Sequence, residues 1–174
     1  SMRDQNDRTN QSLTGMAEKL AVISEANAHI SALSGQVNTL QNILSNKQAR
    51  GSFGEVQLEN LVRDALPDSA YSFQHTLGNA KRVDCYIKLP NPPGAICIDS
   101  KFPLESYRGL TDSPDEAARE RARRALESDV KKHITDISER YIVPGETADS
   151  AIMFLPSESV YAEINLQLPR LVDE

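Results

Sequence analysis

The sequence predicts an α/β protein with a core of about four strands flanked by helices, preceded by one long helix. Three observations lead to this prediction. Apolar residues recur every seven positions over residues 13–44. Short apolar runs with strand-like alternation lie between Tyr71 and Lys101, and another run of strand length follows at Ser150–Leu155. Between these runs, the apolar positions of residues 118–141 have a helical period.

The composition is that of a soluble globular protein. Of 174 residues, 39% are hydrophobic and 25% are charged, and no apolar run approaches the roughly 18 residues of a membrane helix. No secretory signal is visible. The opening Ser1-Met2 and the end at Glu174 suggest a fragment of a longer protein. Cys85 and Cys97 fall on opposite faces of the predicted sheet and should not pair, which is typical of the reducing cytoplasm.

The charge limits the kinds of partner that the chain can bind. The net charge is −6, and residues 51–174 hold fourteen Lys and Arg against twenty-one Asp and Glu. Neutralisation of phosphates drives general affinity for nucleic acids, so any DNA site on this acidic domain has to be local. Three scattered histidines and two cysteines form no zinc pattern.

The N-terminal residues predict a coiled-coil helix that needs a packing partner. The seven-residue spacing runs through Met16, Ile23, Ile30, Val37 and Leu44. A second apolar seam starts at Leu13 and Leu20 and then drifts around the helix. Two interpretations stay open: homo-oligomerisation through residues 13–44, or docking of the helix on its own domain. The predicted domains are therefore residues 1–50, the coiled coil, and residues 51–174.

Gly51–Glu55 is predicted to end the long helix and to begin another. Ser52 as N-cap and Glu55 at the third helical position match a capping box. The apolar spacing then continues to about Pro67. Tyr71–Leu77 is predicted to be a strand that ends in a turn at Gly78-Asn79.

Arg82–Lys101 is predicted to form two antiparallel strands joined by a loop at Pro90–Pro93. Alternation assigns Val83, Cys85 and Ile87 to one face of the first strand, and Asp84, Tyr86 and Lys88 to the other. A four-residue loop sets the register, in which paired positions sum to 183. Ile87 then faces Ile96, Cys85 faces Ile98, and Asp84 faces Asp99, with Lys101 on the side of the two aspartates.

The remaining elements alternate between helix and strand. Leu104–Leu110 is predicted to be a short helix. Ser113 as N-cap, followed by proline and two acids, predicts a helix that runs to about Tyr141. A loop at Val143–Gly145, a strand at Ser150–Leu155 and a final helix from Pro156 to about Leu166 complete the chain.

The two opposed aspartates are the first candidate site. Directly opposed side chains on neighbouring strands have Cβ atoms roughly 4.5–5.5 Å apart, so two like charges destabilise the sheet unless something compensates them. A divalent cation such as Mg²⁺ or Mn²⁺ would do so, because it prefers hard oxygen ligands. Asp84, Asp99 and Lys101 on one patch predict a metal-dependent nuclease site. The alternative is a solvent-exposed sheet face whose charges point into water.

With Glu55 upstream, the pattern Glu55, Asp84, Asp99 and Lys101 resembles the active-site motif of the PD-(D/E)xK nuclease superfamily. Val83 stands where the superfamily name has proline. The resemblance implies a restriction-endonuclease-like fold in which the acids lie on a helix and two adjacent strands.

A fuller match is to the RmuC family of DNA recombination proteins, which five segments resemble: Arg50–Glu59, Arg82–Asp84, Ile98–Tyr107, Val130–Ile134 and Met153–Glu158. The similarity covers residues 50–165 and the preceding coiled coil. It implies a nuclease-like protein that limits DNA rearrangement in bacteria. It also implies a parent protein that is often anchored in the membrane ahead of its coiled coil.

The residues and the resemblance together give a set of expected roles. Asp84, Asp99, the Ser100 carbonyl and Glu55 are expected to hold Mg²⁺ or Mn²⁺, with Lys101 positioning water or stabilising charge. A capping-box Glu55 would need no metal, so its role stays open. The expected DNA contacts are Arg50, Lys81, Arg82 and Arg108. Further candidates for lining the site are Gln57, Glu59, Glu105, Tyr107, Glu158 and Tyr161.

Two functions follow from these expectations. The first is a metal-dependent DNA phosphodiester hydrolase in recombination or repair, with a variant whose competence depends on oligomer assembly. The alternative is a non-catalytic coiled-coil scaffold that keeps a nuclease-like fold and binds DNA or protein partners. In either case the expected location is the cytoplasm, with no membrane contact within this fragment.

Overall fold

A computed structural model describes residues 16, 19–20, 22–25, 27–28, 31 and 45–173. The chain divides into two compact units, Ser1–Ser45 and Asn46–Glu174. The described residues between 16 and 31 are helical, and the side chains of Met16, Leu20 and Ile23 are exposed. Most of the predicted heptad seam at residues 13–44 lies outside the described residues, so oligomerisation through it stays a prediction. In the part of the chain that the structure describes, no helix is both long and apolar enough to span a membrane.

The second unit has the predicted α/β architecture, a four-stranded sheet with helices. Its elements in chain order are α1 (Lys47–Ala65), a 3₁₀ turn (Asp68–Ala70), β1 (Tyr71–Thr76), β2 (Arg82–Ile87), β3 (Ala95–Ser100), α2 (Leu104–Thr111), α3 (Glu116–Tyr141), β4 (Thr147–Phe154), α4 (Glu158–Gln167) and α5 (Pro169–Asp173). The short helix α5 is absent from the sequence-based prediction.

The sheet has the order β1-β2-β3-β4. β1, β2 and β3 form an antiparallel meander, whereas β4 runs parallel to β3 after the crossover through α2 and α3. The register predicted from the loop length is confirmed, because Cys85 pairs with Ile98 and Ile87 with Ile96. Gly94 immediately precedes β3 and has a φ of +93°, and a Cβ there would lie 2.9 Å from the backbone carbonyl carbon of Thr147. A side chain at position 94 would therefore push β3 away from β4.

The predicted alternation of β2 is wrong at Val83. Cys85 and Ile87 pack with Leu58 and Val62 of α1, but Val83 packs with residues of the other face, such as Ile137 and Tyr141 of α3. The neighbouring strand explains the change of face. Gln74 has a φ of +50°, and the β1–β2 pairing skips it between Phe73 and His75. The ladder is thus interrupted beside Asp84, where the two strands change the direction of their side chains.

Cys85 and Cys97 are both free and buried in different clusters, which confirms that they do not pair. A third apolar cluster joins α2, α3 and α4 through Leu110, Leu126, Val130, Val160 and Ile164. The sheet is therefore covered by α1 on one face and by α3 on the other.

Two predicted helix starts are wrong. Ser52 is not an N-cap, because α1 begins earlier and is capped by Asn46, whose side chain accepts from the backbone N–H groups of Gln48 and Ala49. Gly51 and Ser52 are inside this helix. For α3, the cap is Asp115, which accepts from the N–H of Ala118. Ser113 instead donates its hydroxyl to the carbonyl of Gly109 at the end of α2.

Candidate active site

The ends of β2 and β3 open into a cleft of about 470 Å³ between α1 and α3. Among the described residues, its lining contains six carboxylates, four Lys or Arg side chains and one histidine. The lining residues are Lys47, Arg50, Gly51, Glu55, Asp84, residues 99–105, Asp129, Lys132, His133 and Asp136. The predicted metal and catalytic residues Glu55, Asp84, Asp99, Ser100 and Lys101 all belong to this set.

Asp99 is the most buried acid of the cleft, with 3% of its surface exposed. Side chains alternate along β3, so Asp99 follows Ala95 and Cys97 on the face beneath α3. Its Oδ2 accepts a hydrogen bond from Lys101 Nζ, which also lies 3.4 Å from the Ser100 carbonyl oxygen. Burial and the charge of Asp99 raise the pKa of Tyr141 on α3, whose hydroxyl donates to the Arg82 carbonyl at 3.2 Å. The buried Asp99 is thus held by Lys101 and interacts electrostatically with Tyr141.

Asp84 is tied to β3 by a hydrogen bond, since its Oδ2 accepts the backbone N–H of Ser100 at 2.8 Å. It lies one residue beyond the last paired residues, Cys85 and Ile98. Burial raises the pKa of Asp84, the charge of Asp99 raises it further, and the hydrogen bond from Ser100 opposes both. The two aspartates therefore interact electrostatically at the open end of the strands.

Glu55 reaches the same cleft from α1. Its Oε2 accepts a hydrogen bond from Gln74 Nε2 at 3.2 Å. Burial raises the pKa of Glu55, and the charges of Asp84, Glu59 and Asp99 add to this effect. Because α1 begins at Lys47, Glu55 lies in the third turn of the helix and has no part in a capping box. The conflict between a capping role and a role in the cleft is thereby removed.

The expected DNA-binding cations do not lie together. Arg50 is buried, lines the cleft and forms an ion pair with Glu105, whose side chain is 80% exposed. Lys81 and Arg82 are exposed at the β1–β2 turn, and Arg108 is exposed on α2 with Nε 4.0 Å from Asp112. Only Arg50 of these four lines the cleft.

Of the six further candidates for lining the site, Glu105 alone lines the cleft. On α1, Gln57 is exposed and Glu59 pairs with Arg63 at 3.5 Å. Tyr107 packs against the apolar cluster that joins α2, α3 and α4. Glu158 is exposed at the start of α4, and Tyr161 lines a separate, largely apolar groove beside β4. The structure thus brings together the acids and the lysine, and it leaves most of the peripheral candidates elsewhere.

A family model described as the RmuC family matches residues 1–174. The chain belongs to the RmuC family. Two relatives from strains of Xylella fastidiosa, each named DNA recombination protein RmuC homolog, are 32% identical over 178 residues, which cover 97% of this chain and 39% of theirs. A relative of the same name from Chlamydia muridarum is 30% identical over 148 residues, covering 81% of this chain and 33% of its own. No solved structure matches the chain significantly.

The family resemblance predicted from the motifs is therefore confirmed. This RmuC chain spans about two-fifths of the length of the Xylella relatives, whose names refer to DNA recombination.

Sequence reasoning missed one wall of the cleft. Asp129, Lys132, His133 and Asp136 project from α3 opposite the catalytic candidates, and Lys47 adds a cation from the first turn of α1. The sequence did contain a signal for this wall, because the segment Val130–Ile134 is one of those that resemble the RmuC family. That segment lies far from Lys101 in the sequence and carries no recognisable nuclease motif, so its pattern alone indicates no role.

Proposed function

We propose that this RmuC chain contains the active site of a metal-dependent DNA phosphodiester hydrolase that acts in recombination or repair and limits DNA rearrangement. The observation that carries the proposal is the convergence of Glu55, Asp84, Asp99 and Lys101 from α1, β2 and β3 in one cleft. A helix and two adjacent strands are the elements expected to carry these residues in a restriction-endonuclease-like fold. The names of the relatives support DNA as the substrate class.

The donor atoms fit a magnesium ion held by few protein ligands. Within residues 45–173 and the shorter described stretches before them, no three His, Cys, Asp or Glu side chains are grouped to hold a metal ion. Mg²⁺ usually keeps several waters and uses one or two carboxylates together with substrate phosphates, so it needs no larger protein cage. Asp84 and Asp99 would hold it, with the Ser100 carbonyl as a further oxygen and Glu55 reaching it through a water. When bound, the ion supplies Lewis acidity at the phosphate and acidifies a water.

The raised carboxyl pKa values favour this assignment. Burial is the main cause of the raised pKa values of Asp84 and Glu55, and the charges of the other acids of the cleft add to it. A bound cation removes that repulsion, and ionised hard oxygens are the ligands that it prefers. The residues are therefore arranged at a cost in stability that a metal ion would offset.

The side chains of this chain have separate tasks in the proposed reaction. Lys101, held by Asp99, stabilises the negative charge that develops on the phosphate oxygens. Arg50, Lys47 and Lys132 line the same cleft and attract the neighbouring phosphates. The domain as a whole is acidic and repels DNA phosphates, but these cations provide local attraction at the one cleft that the DNA needs to approach.

A second candidate function is a non-catalytic scaffold that binds DNA or protein partners. One observation favours it: Lys101 is engaged by Asp99 rather than directed at a substrate. On this hypothesis, the ion pair stabilises the end of β3, and the coiled coil brings chains together. The two candidates differ in whether the cleft binds a divalent cation.

Calorimetric titration of Mg²⁺ and Mn²⁺, combined with cleavage assays on linear and branched DNA, tests the proposal. We expect Asp84→Asn and Asp99→Asn to weaken binding of the divalent cation at least tenfold and to abolish cleavage. We expect Lys101→Met to abolish cleavage without weakening the binding of that cation. Asp64→Asn, an exposed aspartate of α1, is the matched control. Cleavage that survives Asp99→Asn and Lys101→Met would overturn the proposal. Absence of both cation binding and cleavage in the unaltered chain would favour the scaffold.

A further inference from the structure

Three neighbouring side chains on α2 and α3 lead into the cleft. The Ser106 hydroxyl donates to Asp129 Oδ2 at 2.8 Å. The other oxygen, Asp129 Oδ1, lies 3.7 Å from Nε2 of His133, one helical turn further along α3. Asp129 and His133 both line the cleft that holds Asp84, Asp99 and Lys101. A carboxylate fixed by a neighbouring helix thus faces the imidazole that forms part of the cleft wall.

The surroundings of His133 favour a neutral ring near pH 7. Its side chain is 23% exposed, and burial lowers its pKa below the ordinary value. The charge of Asp129 opposes this effect, Lys101 reinforces it, and Asp136 and Asp99 oppose it more weakly. These groups face the ring from α3 and from the end of β3. A neutral imidazole has a lone pair with which it can accept a proton.

A purely structural role explains this arrangement poorly. The distance of 3.7 Å between His133 Nε2 and Asp129 Oδ1 is too long for a hydrogen bond. A neutral ring makes no ion pair, and even a protonated one at i and i+4 on a helix would contribute only about 0.3–0.5 kcal/mol. Ser106 holds Asp129 through its Oδ2 atom, which leaves Oδ1 to face the imidazole without a close contact. The histidine therefore gains little stability from its place in the wall of an acidic cleft.

The proposed hydrolysis needs a group that accepts the proton of the attacking water. The Lys101 ammonium group donates to Asp99 and to the Ser100 carbonyl, so it can stabilise charge but has no lone pair to offer. Asp84 and Asp99 are assigned to the metal ion. Glu105, Asp129 and Asp136 also line the cleft, but the imidazole of His133 is an intrinsically stronger base than a carboxylate.

We propose that His133 accepts the proton of the attacking water in this cleft, and that Asp129 is its positioning residue. The inference rests on the proposed hydrolase function. As the water oxygen forms its bond to phosphorus, one O–H bond breaks and that proton passes to the imidazole. The P–O bond to the leaving oxygen breaks, and this oxygen takes a proton from a solvent water. The imidazolium is stabilised by the Asp129 carboxylate and returns its proton to solvent, so no other reactant is consumed.

The test compares His133→Ala and Asp129→Asn with the unaltered chain, using single-turnover cleavage of a labelled DNA in Mg²⁺ and DNA affinity by fluorescence anisotropy. We expect His133→Ala to slow cleavage by about 100-fold or more, as for loss of a general base, with DNA affinity within about twofold. Imidazole added to the His133→Ala protein restores part of the rate, and it restores none to Asp99→Asn. His75→Asn is the matched control, because His75 stacks on Tyr86 outside the cleft.

Asp129 is tested by non-additivity. Asp129→Asn is expected to slow cleavage about tenfold, whereas the double variant is no slower than His133→Ala alone, because Asp129 acts through the imidazole. Thermal melting of each variant confirms that it is folded. If the unaltered chain cleaves DNA and His133→Ala cleaves it equally fast, or if imidazole restores nothing, this inference is wrong while the hydrolase function stands. If the unaltered chain cleaves no DNA, the hydrolase function and this inference fail together.

Discussion

Gly54 of α1 packs directly against Ser100 at the end of β3. A Cβ atom at position 54 would collide with Ser100 Oγ and would lie 3.3 Å from Pro156 Cγ. Glu55 follows immediately on the helix, so this close approach sets how near Glu55 comes to Asp84 and Asp99. Because Gly54 has no side chain, α1 can approach β3 closely enough for Glu55 to reach the cleft that contains Asp84 and Asp99.

The first prediction concerns this contact. Gly54→Ala should lower the free energy of unfolding by about 1–3 kcal/mol, because overpacking outweighs the helix preference of alanine. Adding Ser100→Ala should recover most of the loss, since the Oγ atom is then gone. Gly51→Ala is the control: it is in the same helix with nothing within 4 Å of its Cβ, and should gain about 0.5–1 kcal/mol. Urea unfolding measures all four proteins. Equal stability of the two Gly→Ala variants would show that the approach is not tight.

The second prediction concerns the pair formed by Asp99 and Lys101. Lys101→Met should destabilise the fold by about 2–4 kcal/mol, because it leaves a buried carboxylate without its cation. The same substitution in the Asp99→Asn background should cost much less. Arg124→Met, which removes an exposed partner of Glu120, should change stability by less than about 0.5 kcal/mol. The double-mutant cycle is measured by urea unfolding, and an equal cost of Lys101→Met in both backgrounds would contradict the pairing.

The third prediction is a dependence of stability on pH. Burial and the charge of Asp99 raise the pKa of Asp84 above its ordinary value of 3.8 in the folded chain. Between these two pKa values the folded state binds more protons than the unfolded state, so the contribution of Asp84 to stability falls as pH rises through this interval. Asp84→Asn removes the titration, and the side-chain amide oxygen that it introduces can still accept from the Ser100 N–H.

The measurement is Tm against pH from 3 to 8. Asp84→Asn should have a Tm a few degrees higher than the unaltered chain at pH 7, and the difference should shrink towards acid pH. The exposed Asp149→Asn variant should follow the unaltered chain. Groups whose pKa shifts in the opposite direction, such as Glu120 with a pKa lowered to about 2, are present in every variant and cancel in the comparison. A Tm difference between Asp84→Asn and the unaltered chain that grows towards acid pH would contradict the prediction.

The fourth prediction concerns the mouth of the cleft. The exposed carboxylate of Glu105 pairs with Arg50 where DNA phosphates are proposed to bind. Glu105→Gln removes a negative charge from that place, so the dissociation constant for DNA should fall about two- to fivefold at low salt, with the effect declining at higher salt. Glu139→Gln, an exposed glutamate of α3 outside the cleft lining, should have no such effect. The dissociation constants are measured by fluorescence anisotropy at two salt concentrations. Weaker DNA binding by Glu105→Gln would contradict phosphate contact at Arg50.

Local patterns predicted the elements well where one interaction dominates. The loop between β2 and β3 sets which residues are opposed, and the confirmed Cys85–Ile98 pairing follows from its length. The period of α3 and its end at Tyr141 follow from a regular apolar face. The error at Ser52 has a different origin. Two glycines and a serine form a typical break, but helix α1 continues through them because Asn46 caps it and Gly54 packs against β3.

The site was predicted only in part, for the same reason. Asp84, Asp99 and Lys101 are joined by short-range strand geometry, which sequence spacing contains. The change of face at Val83 depends on the backbone of Gln74 in another strand. His133 and Asp129 enter the cleft through the packing of α3 over the sheet, and Asp129 is held by Ser106 of α2.

The sequence by itself determined the RmuC family, the four strands, the antiparallel register and the acidic motif with its lysine. These features depend on periodicity, turn length and residue type, which act over a few residues. Only the tertiary structure decided that Glu55 serves the cleft rather than a helix cap, that Lys101 pairs with Asp99, and that α3 supplies a histidine opposite them. Those outcomes depend on side-chain volume and burial across elements distant in sequence, and such contacts have no period that a single sequence displays.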